Sequence, residues 1–127
     1  EICKELELME SAPVWKGHSD TEIMLAAISH WGLESALNKF IGMFAFALWD
    51  REERVLKLVE DRLGEKPLYY GWMNKVFMFG SELRALKAHA KWQGDIDRNS
   101  LGLLMRYNCI PAPYSIYKTY LNFFPEL

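Results

Sequence analysis

The sequence lacks several features that would place a protein in a functional class at once. Its 15 lysines and arginines stand against 17 aspartates and glutamates, so no electrostatic argument for a nucleic-acid partner arises. No apolar run approaches the roughly 20 residues that a membrane-spanning helix needs. The two cysteines, Cys3 and Cys109, have no metal-ligand spacing, and a disulfide between them has little support. We therefore expect a cytoplasmic protein without a nucleic-acid or membrane partner.

The usual catalytic and cofactor signatures are also missing. The three histidines have no partner at helical spacing that suits a metal, and the segment Gly64–Lys66 lacks the remaining residues of a phosphate loop. Arg62 and Lys66 flank Gly64 and suit either an anion or, as the pattern favours, a solvated turn. Cys3 lies inside a predicted helix and has no free α-amino group to act as its base. The residues alone therefore predict neither a metal site nor a catalytic residue.

What the sequence does contain is a run of four strand-like segments. Residues 41–50 are almost wholly apolar and are bounded by charges, which is typical of a strand buried on both faces. Charged and Gly- or Pro-containing turns separate it from the segments that follow. Taken together, the pattern predicts strands over Met43–Trp49, Val55–Val59, Leu68–Trp72 and Lys75–Phe79. The plainest interpretation is an ordinary antiparallel meander.

One helix has a clear start signal. Ser19 followed by Glu22 has the spacing of a capping box, and an apolar helical run begins at once. Gly32 is placed to end that helix. Asp20 falls in the first turn, where its carboxylate complements the helix dipole. A carboxylate held by a capped helix is also a good anchor for a ligand ammonium group, although the pattern alone favours the dipole.

The remaining elements are predicted from similar local signals. The chain begins with a short amphipathic helix that Pro13 stops, and Cys109 is interpreted as a small core residue. The other expected elements are a brief strand at Val14–Lys16, helices at Leu33–Lys39 and Glu82–Ala88, the latter capped by Ser81, and a final helix capped by Asp97 or Asn99 that carries Leu101, Leu104 and Met105. The aromatic end of the sequence has no recognisable pattern.

Several motifs taken together resemble the glutaminase domain of glutamine-dependent asparagine synthetases. They are GHSDTEIMLAAISHWG, GMFAFALWD, DRLGEKPLYYG, GSELRALKA and IPAPYSIY. The resemblance keeps one register from Glu1 to Lys118. The combination of DRLGEKPLYYG with SDTE favours asparagine synthetases over other amidotransferases that use an N-terminal nucleophile.

The resemblance implies a fold and a reaction. The fold is an α+β N-terminal-nucleophile hydrolase fold, a four-layer αββα sandwich with antiparallel sheets, of which this chain would form part. The reaction is hydrolysis of glutamine to glutamate and ammonia, which a second domain uses for ATP-dependent amidation of aspartate. Asp20 matches the aspartate that holds the α-ammonium group of glutamine, and it is the single site residue carried over. ATP and magnesium are expected only in the synthetase domain.

The sequence also departs from the family pattern. It lacks the N-terminal Cys-Gly nucleophile, the arginine that grips the carboxylate of glutamine, and the Asn-Gly-Glu segment that supplies the oxyanion hole. Glu1–Leu6 resembles the family helix after that segment. We therefore expect that the chain begins downstream of the nucleophile, ends before the synthetase domain and is inactive alone. Residues 1–118 would be the C-terminal part of the amidotransferase domain, and 119–127 a divergent tail.

Three hypotheses remain open from the sequence. The chain is part of a working asparagine synthetase, or a non-catalytic remnant that binds or acts as a scaffold, or the glutaminase-like domain of a relative of the β-lactam-synthetase type. Strands missing from the sandwich would leave an apolar face or an open sheet edge. We therefore expect self-association through the incomplete sheet.

Overall fold

The computed structural model describes residues 2–9, 13–17, 19–111, 113–118 and 120–122. It divides the chain into two compact units, Glu1–Ile41 and Gly42–Leu127. The first unit is helical and the second contains the strands, so the protein has mixed α and β content. This agrees with the predicted α+β class.

The described residues of the first unit form three helices: α1 (Ile2–Glu7), α2 (Asp20–Trp31) and α3 (Leu33–Lys39). Their buried side chains are small or aliphatic, namely Leu6, Ala27 and Ala36. The predicted helices α2 and α3 are confirmed. Helix α1 ends at Glu7, several residues before the predicted stop at Pro13, and residues 10–12 lie outside the described part of the chain.

Gly32 separates α2 from α3. Its backbone has φ 78° and ψ 163°, a region that is essentially restricted to glycine, and its N–H donates to the Ile28 carbonyl at 2.9 Å. The predicted role of Gly32 in ending α2 is therefore confirmed. The brief strand predicted at Val14–Lys16 is wrong, because this segment pairs with no strand among the described residues and the backbone N–H groups of Lys16 and Gly17 bond to the Glu22 side chain instead.

The described residues of the second unit form two antiparallel sheets. Strands β1 (Ala45–Asp50) and β2 (Val55–Glu60) form a hairpin in which Asp50 pairs with Val55. Strands β3 (Tyr69–Met73), β4 (Val76–Gly80) and β5 (Tyr120–Asn122) form a second sheet in the order β4-β3-β5. The four predicted strands are confirmed to within two residues at each end.

The single meander is wrong, because β2 and β3 belong to different sheets. The connection from Asp61 to Leu68 is a folded loop held to a buried carboxylate, so the chain does not reverse directly from β2 into β3. Strand β5 lies in the aromatic end of the chain, for which no element was predicted.

Strand β1 is not buried on both faces, which corrects a second expectation. The Phe44, Phe46 and Leu48 side chains are half-buried, whereas Ala47 is exposed and Trp49 is 53% exposed. On β1 the side of Phe46 and Leu48 is therefore partly covered, and the side of Ala47 and Trp49 is exposed.

The core of the second unit lies against the three-stranded sheet. Met73, Met78 and Leu86 are buried together, and five partly buried residues pack on them: Tyr69, Val76, Leu83, Trp92 and Tyr117. Leu83 and Leu86 belong to α4 (Leu83–Lys87), so their predicted inward packing is confirmed. The predicted cap Ser81 is wrong, since Glu82 is the N-cap and provides no side-chain bond.

Helix α5 (Arg98–Tyr107) begins at Asp97, whose carboxylate accepts from the backbone N–H groups of Asn99 and Ser100. The predicted Asp97 cap is therefore confirmed. Two of the apolar residues assigned to this helix point outward, since Leu101 is 39% and Met105 is 80% exposed. Cys109 is also exposed, so its assignment to the core is wrong. Within the ranges described above, no helix combines the length and the apolar character needed to cross a bilayer.

Candidate functional site

The start of α2 carries the one site residue that the sequence predicts. Ser19 is the N-cap, with extended backbone at φ −90° and ψ 141°, and its Oγ accepts from the Glu22 N–H at 3.2 Å. Asp20 is the first helical residue, and its side chain is exposed. Its negative charge lies where the unsatisfied N–H groups of the helix create a partial positive charge. The helix start thus holds an accessible carboxylate in a fixed place.

Glu22 does not behave as the capping-box pattern predicts. Its Oε1 accepts from the Lys16 backbone N–H at 2.7 Å and its Oε2 accepts from the Gly17 N–H at 3.0 Å. The Ser19 half of the predicted capping box is therefore confirmed. The Glu22 carboxylate, however, binds the chain segment before the cap and ties it to the first turn of α2.

Two carboxylates thus lie within three residues of each other and have different surroundings. Both oxygens of Glu22 accept a backbone hydrogen bond, which occupies about half of the acceptor sites of this carboxylate. The Asp20 carboxylate is open to solvent. Of the pair, Asp20 is therefore the one suited to receive a ligand ammonium group.

The loop after β2 is organised by another carboxylate, that of Asp61. Its side chain is 3% exposed and accepts four backbone N–H groups, at 3.0 to 3.3 Å, from Phe44, Leu63, Glu65 and Lys66. Burial alone would disfavour the charged form. The hydrogen bonds outweigh burial and lower the pKa of Asp61 below its ordinary value. Asp61 is therefore an ionised structural centre for residues 61–66.

The neighbouring Glu60 has the opposite character. It is 7% exposed, and its Oε2 has no hydrogen-bond partner among the described residues. Burial raises the pKa of Glu60, and the adjacent Asp61 charge raises it further, against a hydrogen bond from the Leu68 backbone. Two consecutive carboxyl groups are thus driven in opposite directions by their environments.

The side chains of Arg62 and Lys66 are exposed in this loop, in agreement with a solvated turn. Their loop is nevertheless ordered from within, because the Lys66 backbone N–H donates to Asp61 at 3.1 Å.

Neither cysteine is placed as an activated nucleophile. Cys3 lies in α1, and its Sγ donates to Glu7 Oε1 at 3.4 Å. Partial burial, this hydrogen bond and the Glu7 charge raise the pKa of the Cys3 thiol, so it stays protonated at neutral pH. Cys109 lies just after α5 and is exposed.

The histidines do not form a site in the described part of the chain. His30 packs edge-on against Trp31, His89 Nδ1 accepts from the Lys91 N–H, and His18 lies outside the described residues. Among the described residues, no group of three or more His, Cys, Asp or Glu side chains is arranged to hold a metal ion.

Comparison with known proteins decides the family. The model of the glutamine amidotransferase domain family matches residues 1–126. The chain belongs to this family. Asparagine synthetase 1 (glutamine-hydrolysing) of Bacillus subtilis is 36% identical over 121 residues, which are 91% of this chain and 19% of that protein. The glutamine-hydrolysing asparagine synthetase 3 of the same organism is 40% identical over 83 residues, 65% of this chain and 13% of that protein.

A Methanocaldococcus jannaschii homologue is 35% identical over 121 residues, 93% of this chain and 23% of that protein. The amidotransferase chain therefore spans less than a quarter of the length of these relatives.

Two structural features of this amidotransferase chain, the contacts of Glu22 and of Asp61, were not predicted from the sequence. The Glu22 contact with Lys16 and Gly17 was hidden because a capping box assigns the carboxylate to the cap residue itself. The role of Asp61 had a usable signal, since an Asp shortly before Gly64 and Pro67 is typical of a turn organised by its side chain.

Proposed function

We propose that this domain takes part in the hydrolysis of glutamine to glutamate and ammonia within an asparagine synthetase. The observation that carries the proposal is the family match over residues 1–126, together with a Bacillus subtilis asparagine synthetase that aligns with 91% of the chain. In the complete enzyme the ammonia would be used for the ATP-dependent amidation of aspartate. ATP and magnesium would bind in the synthetase part and not to the residues described above.

The fold proposed for the complete domain is the αββα sandwich of N-terminal-nucleophile hydrolases. Two features support it: the described residues of the second unit form two antiparallel sheets, and those of the first unit are helical. The exposed face of β1, with Trp49 53% exposed, is what an incomplete sandwich would leave uncovered.

In this proposal Asp20 is the anchor for the α-ammonium group of glutamine. It is exposed, it is fixed at the start of α2, and its neighbour Glu22 is already engaged by two backbone N–H groups. A hydrogen bond between an ammonium group and a carboxylate is worth roughly 1.5–3 kcal/mol. That free energy corresponds to about ten- to a hundredfold in the use of glutamine.

The test is an asparagine synthetase whose amidotransferase domain contains residues 1–126. Asp20→Asn should reduce synthesis driven by glutamine about ten- to a hundredfold and leave synthesis driven by added ammonia unchanged. The ammonia reaction is the internal control, since it bypasses the glutamine site. An unchanged ratio of the two activities would remove Asp20 from the site and leave it as a helix-start residue.

The nucleophile is proposed to come from a residue other than the two cysteines described here. Glutamine hydrolysis needs a thiolate beside a base, whereas the Cys3 thiol donates to a carboxylate inside a helix and its pKa is raised. The 127-residue chain should therefore release no glutamate from glutamine. Glutamate release that disappears in Cys3→Ala would establish Cys3 as catalytic and overturn this part of the proposal.

Self-association is a second proposed property, and the exposed apolar side chains favour it. Met43 and Trp72 are each 59% exposed, and Trp49 is 53% exposed. Such side chains on sheet faces and edges favour association between chains. Sedimentation velocity should show dimers or larger species that dissociate on dilution, and a monomer at all concentrations would contradict the proposal.

A further inference from the structure

We infer that Glu22 is a positioning residue for Asp20 and thereby determines how well the domain recognises the α-amino group of glutamine. This inference rests on the proposed role of Asp20 as the ammonium anchor. It assigns to Glu22 no contact with the substrate.

The geometry that carries the inference is a clamp on both sides of Asp20. The Glu22 carboxylate accepts from the Lys16 N–H at 2.7 Å and from the Gly17 N–H at 3.0 Å. The Glu22 backbone N–H donates to Ser19 Oγ at 3.2 Å and lies 3.1 Å from the Ser19 carbonyl oxygen. Asp20 lies inside the loop that these bonds close, so its backbone is held from both directions.

The clamp does something that ordinary helix capping does not. A capping side chain satisfies N–H groups of the first helical turn. The groups bound by Glu22 belong to Lys16 and Gly17, which precede the helix, so they do not reduce the number of unsatisfied helical donors. The two hydrogen bonds to Glu22 instead fix the direction from which the chain enters α2. That direction sets the place of the exposed Asp20 carboxylate.

A second consequence is electrostatic. Because each Glu22 oxygen accepts a backbone N–H group of the entering chain, this half-buried carboxylate is already engaged. Asp20 then remains the exposed carboxylate of the pair. An ammonium group approaching the helix start thus meets one well-placed acceptor, which is what selection for a single α-amino group requires.

The substitution that tests the clamp is Glu22→Gln, which keeps the size of the side chain. A glutamine side chain offers one acceptor oxygen and an NH₂ donor, so it satisfies one of the two N–H groups and opposes the other. The matched control is Glu34→Gln, the same chemical change in the first turn of α3, where the cap makes no side-chain bond and Glu34 is exposed.

The first experiment uses the 127-residue chain and needs no activity. Amide hydrogen exchange is followed by NMR in the unaltered chain and in both variants. Glu22→Gln should increase the exchange rates of the Lys16 and Gly17 amides by about tenfold or more and should shift the Asp20 carboxyl resonance. Glu34→Gln should leave all three signals unchanged. Equal exchange in the unaltered chain and in Glu22→Gln would overturn the inference.

The second experiment places residues 1–126 in asparagine synthetase 1 of Bacillus subtilis, where they replace the matching segment. Glu22→Gln should raise the KM for glutamine by about three- to thirtyfold and leave ammonia-dependent synthesis unchanged. The double variant with Asp20→Asn should be no worse than Asp20→Asn alone, because the clamp acts through Asp20. If the double variant loses glutamine-dependent synthesis by the product of the two single losses, Glu22 has a general structural role and the inference is overturned.

The outcomes separate this inference from the function on which it rests. If Asp20→Asn lowers glutamine use and Glu22→Gln does not, the positioning role is wrong and the anchor stands. If Asp20→Asn changes nothing, the anchor role of Asp20 and the positioning role of Glu22 are both wrong. A chimera with ammonia-dependent but no glutamine-dependent synthesis counts against the proposed function. The amide exchange rates of Lys16 and Gly17 then test whether Glu22 holds the start of α2.

Discussion

Gly32 provides a test of backbone conformation that is free of side-chain packing. The residue ends α2, begins α3 and has φ 78° with ψ 163°. A Cβ built at this position meets nothing within 4 Å. Any loss of stability in Gly32→Ala must therefore come from the backbone itself and not from a clash.

The magnitude follows from two opposing effects. Forcing alanine into a region that only glycine readily occupies costs about 1–3 kcal/mol. Replacing glycine also restricts the unfolded chain, which stabilises the folded protein by about 0.4–1 kcal/mol. The net expectation is a loss of about 1–2 kcal/mol in the free energy of unfolding. If the turn relaxes to avoid the strain, it weakens the bonds from Gly32 to Ile28 and from Ala36 to Gly32, which are 2.9 and 3.1 Å long.

The chain offers a matched control in Gly102. This residue lies within α5, is exposed, and also has no atom within 4 Å of an added Cβ, but its φ is not positive. Gly102→Ala should therefore stabilise the protein by about 0.5–1 kcal/mol, because alanine is the better helix former. The same chemical change thus has opposite expected signs at two positions.

The assay is urea unfolding followed by circular dichroism, with amide exchange to locate the change in each compact unit. Gly32→Ala should speed exchange in α2 and α3, and Gly102→Ala should slow it in α5. A neutral or stabilising Gly32→Ala, or two changes of the same sign, would refute the conformational argument.

The remaining predictions concern carboxyl groups and an exposed aromatic side chain. Asp61 has a lowered pKa, so its ionised form stabilises the folded protein at pH values above the ordinary carboxyl range, and this stabilisation is lost as the pH falls through the folded pKa. Asp61→Asn should therefore lower Tm at pH 7 and weaken this acid dependence. Glu60 has a raised pKa, so its ionisation lowers the stability of the folded protein as the pH rises from the unfolded to the folded pKa. Glu60→Gln should therefore raise or preserve Tm at pH 7. A marked fall in Tm would show that the charged form of Glu60 is needed. Trp49→Lys should shift sedimentation toward monomer without lowering Tm, whereas unchanged assembly would exclude β1 as the contact.

The sequence by itself determined most elements, because the signals that place them are local. The Ser19 cap and the glycine at position 32 bound α2, and the Asp97 carboxylate starts α5. These are interactions between residues at most four positions apart, so their spacing is readable directly. The Asp20 candidate was found in the same way, from a carboxylate at a capped helix start. Its match to a family motif gave it a role that spacing alone did not favour.

Tertiary structure decided whatever depends on partners distant in the sequence. The division of four strands into two sheets, the exposure of Trp49 and Cys109, and the Phe44 bond to Asp61 are settled by contacts that no local pattern encodes. Strand β5 is the clearest case. Three residues have no strand stability of their own, and Tyr120–Asn122 is extended because β3 offers an open edge to which its backbone can bond.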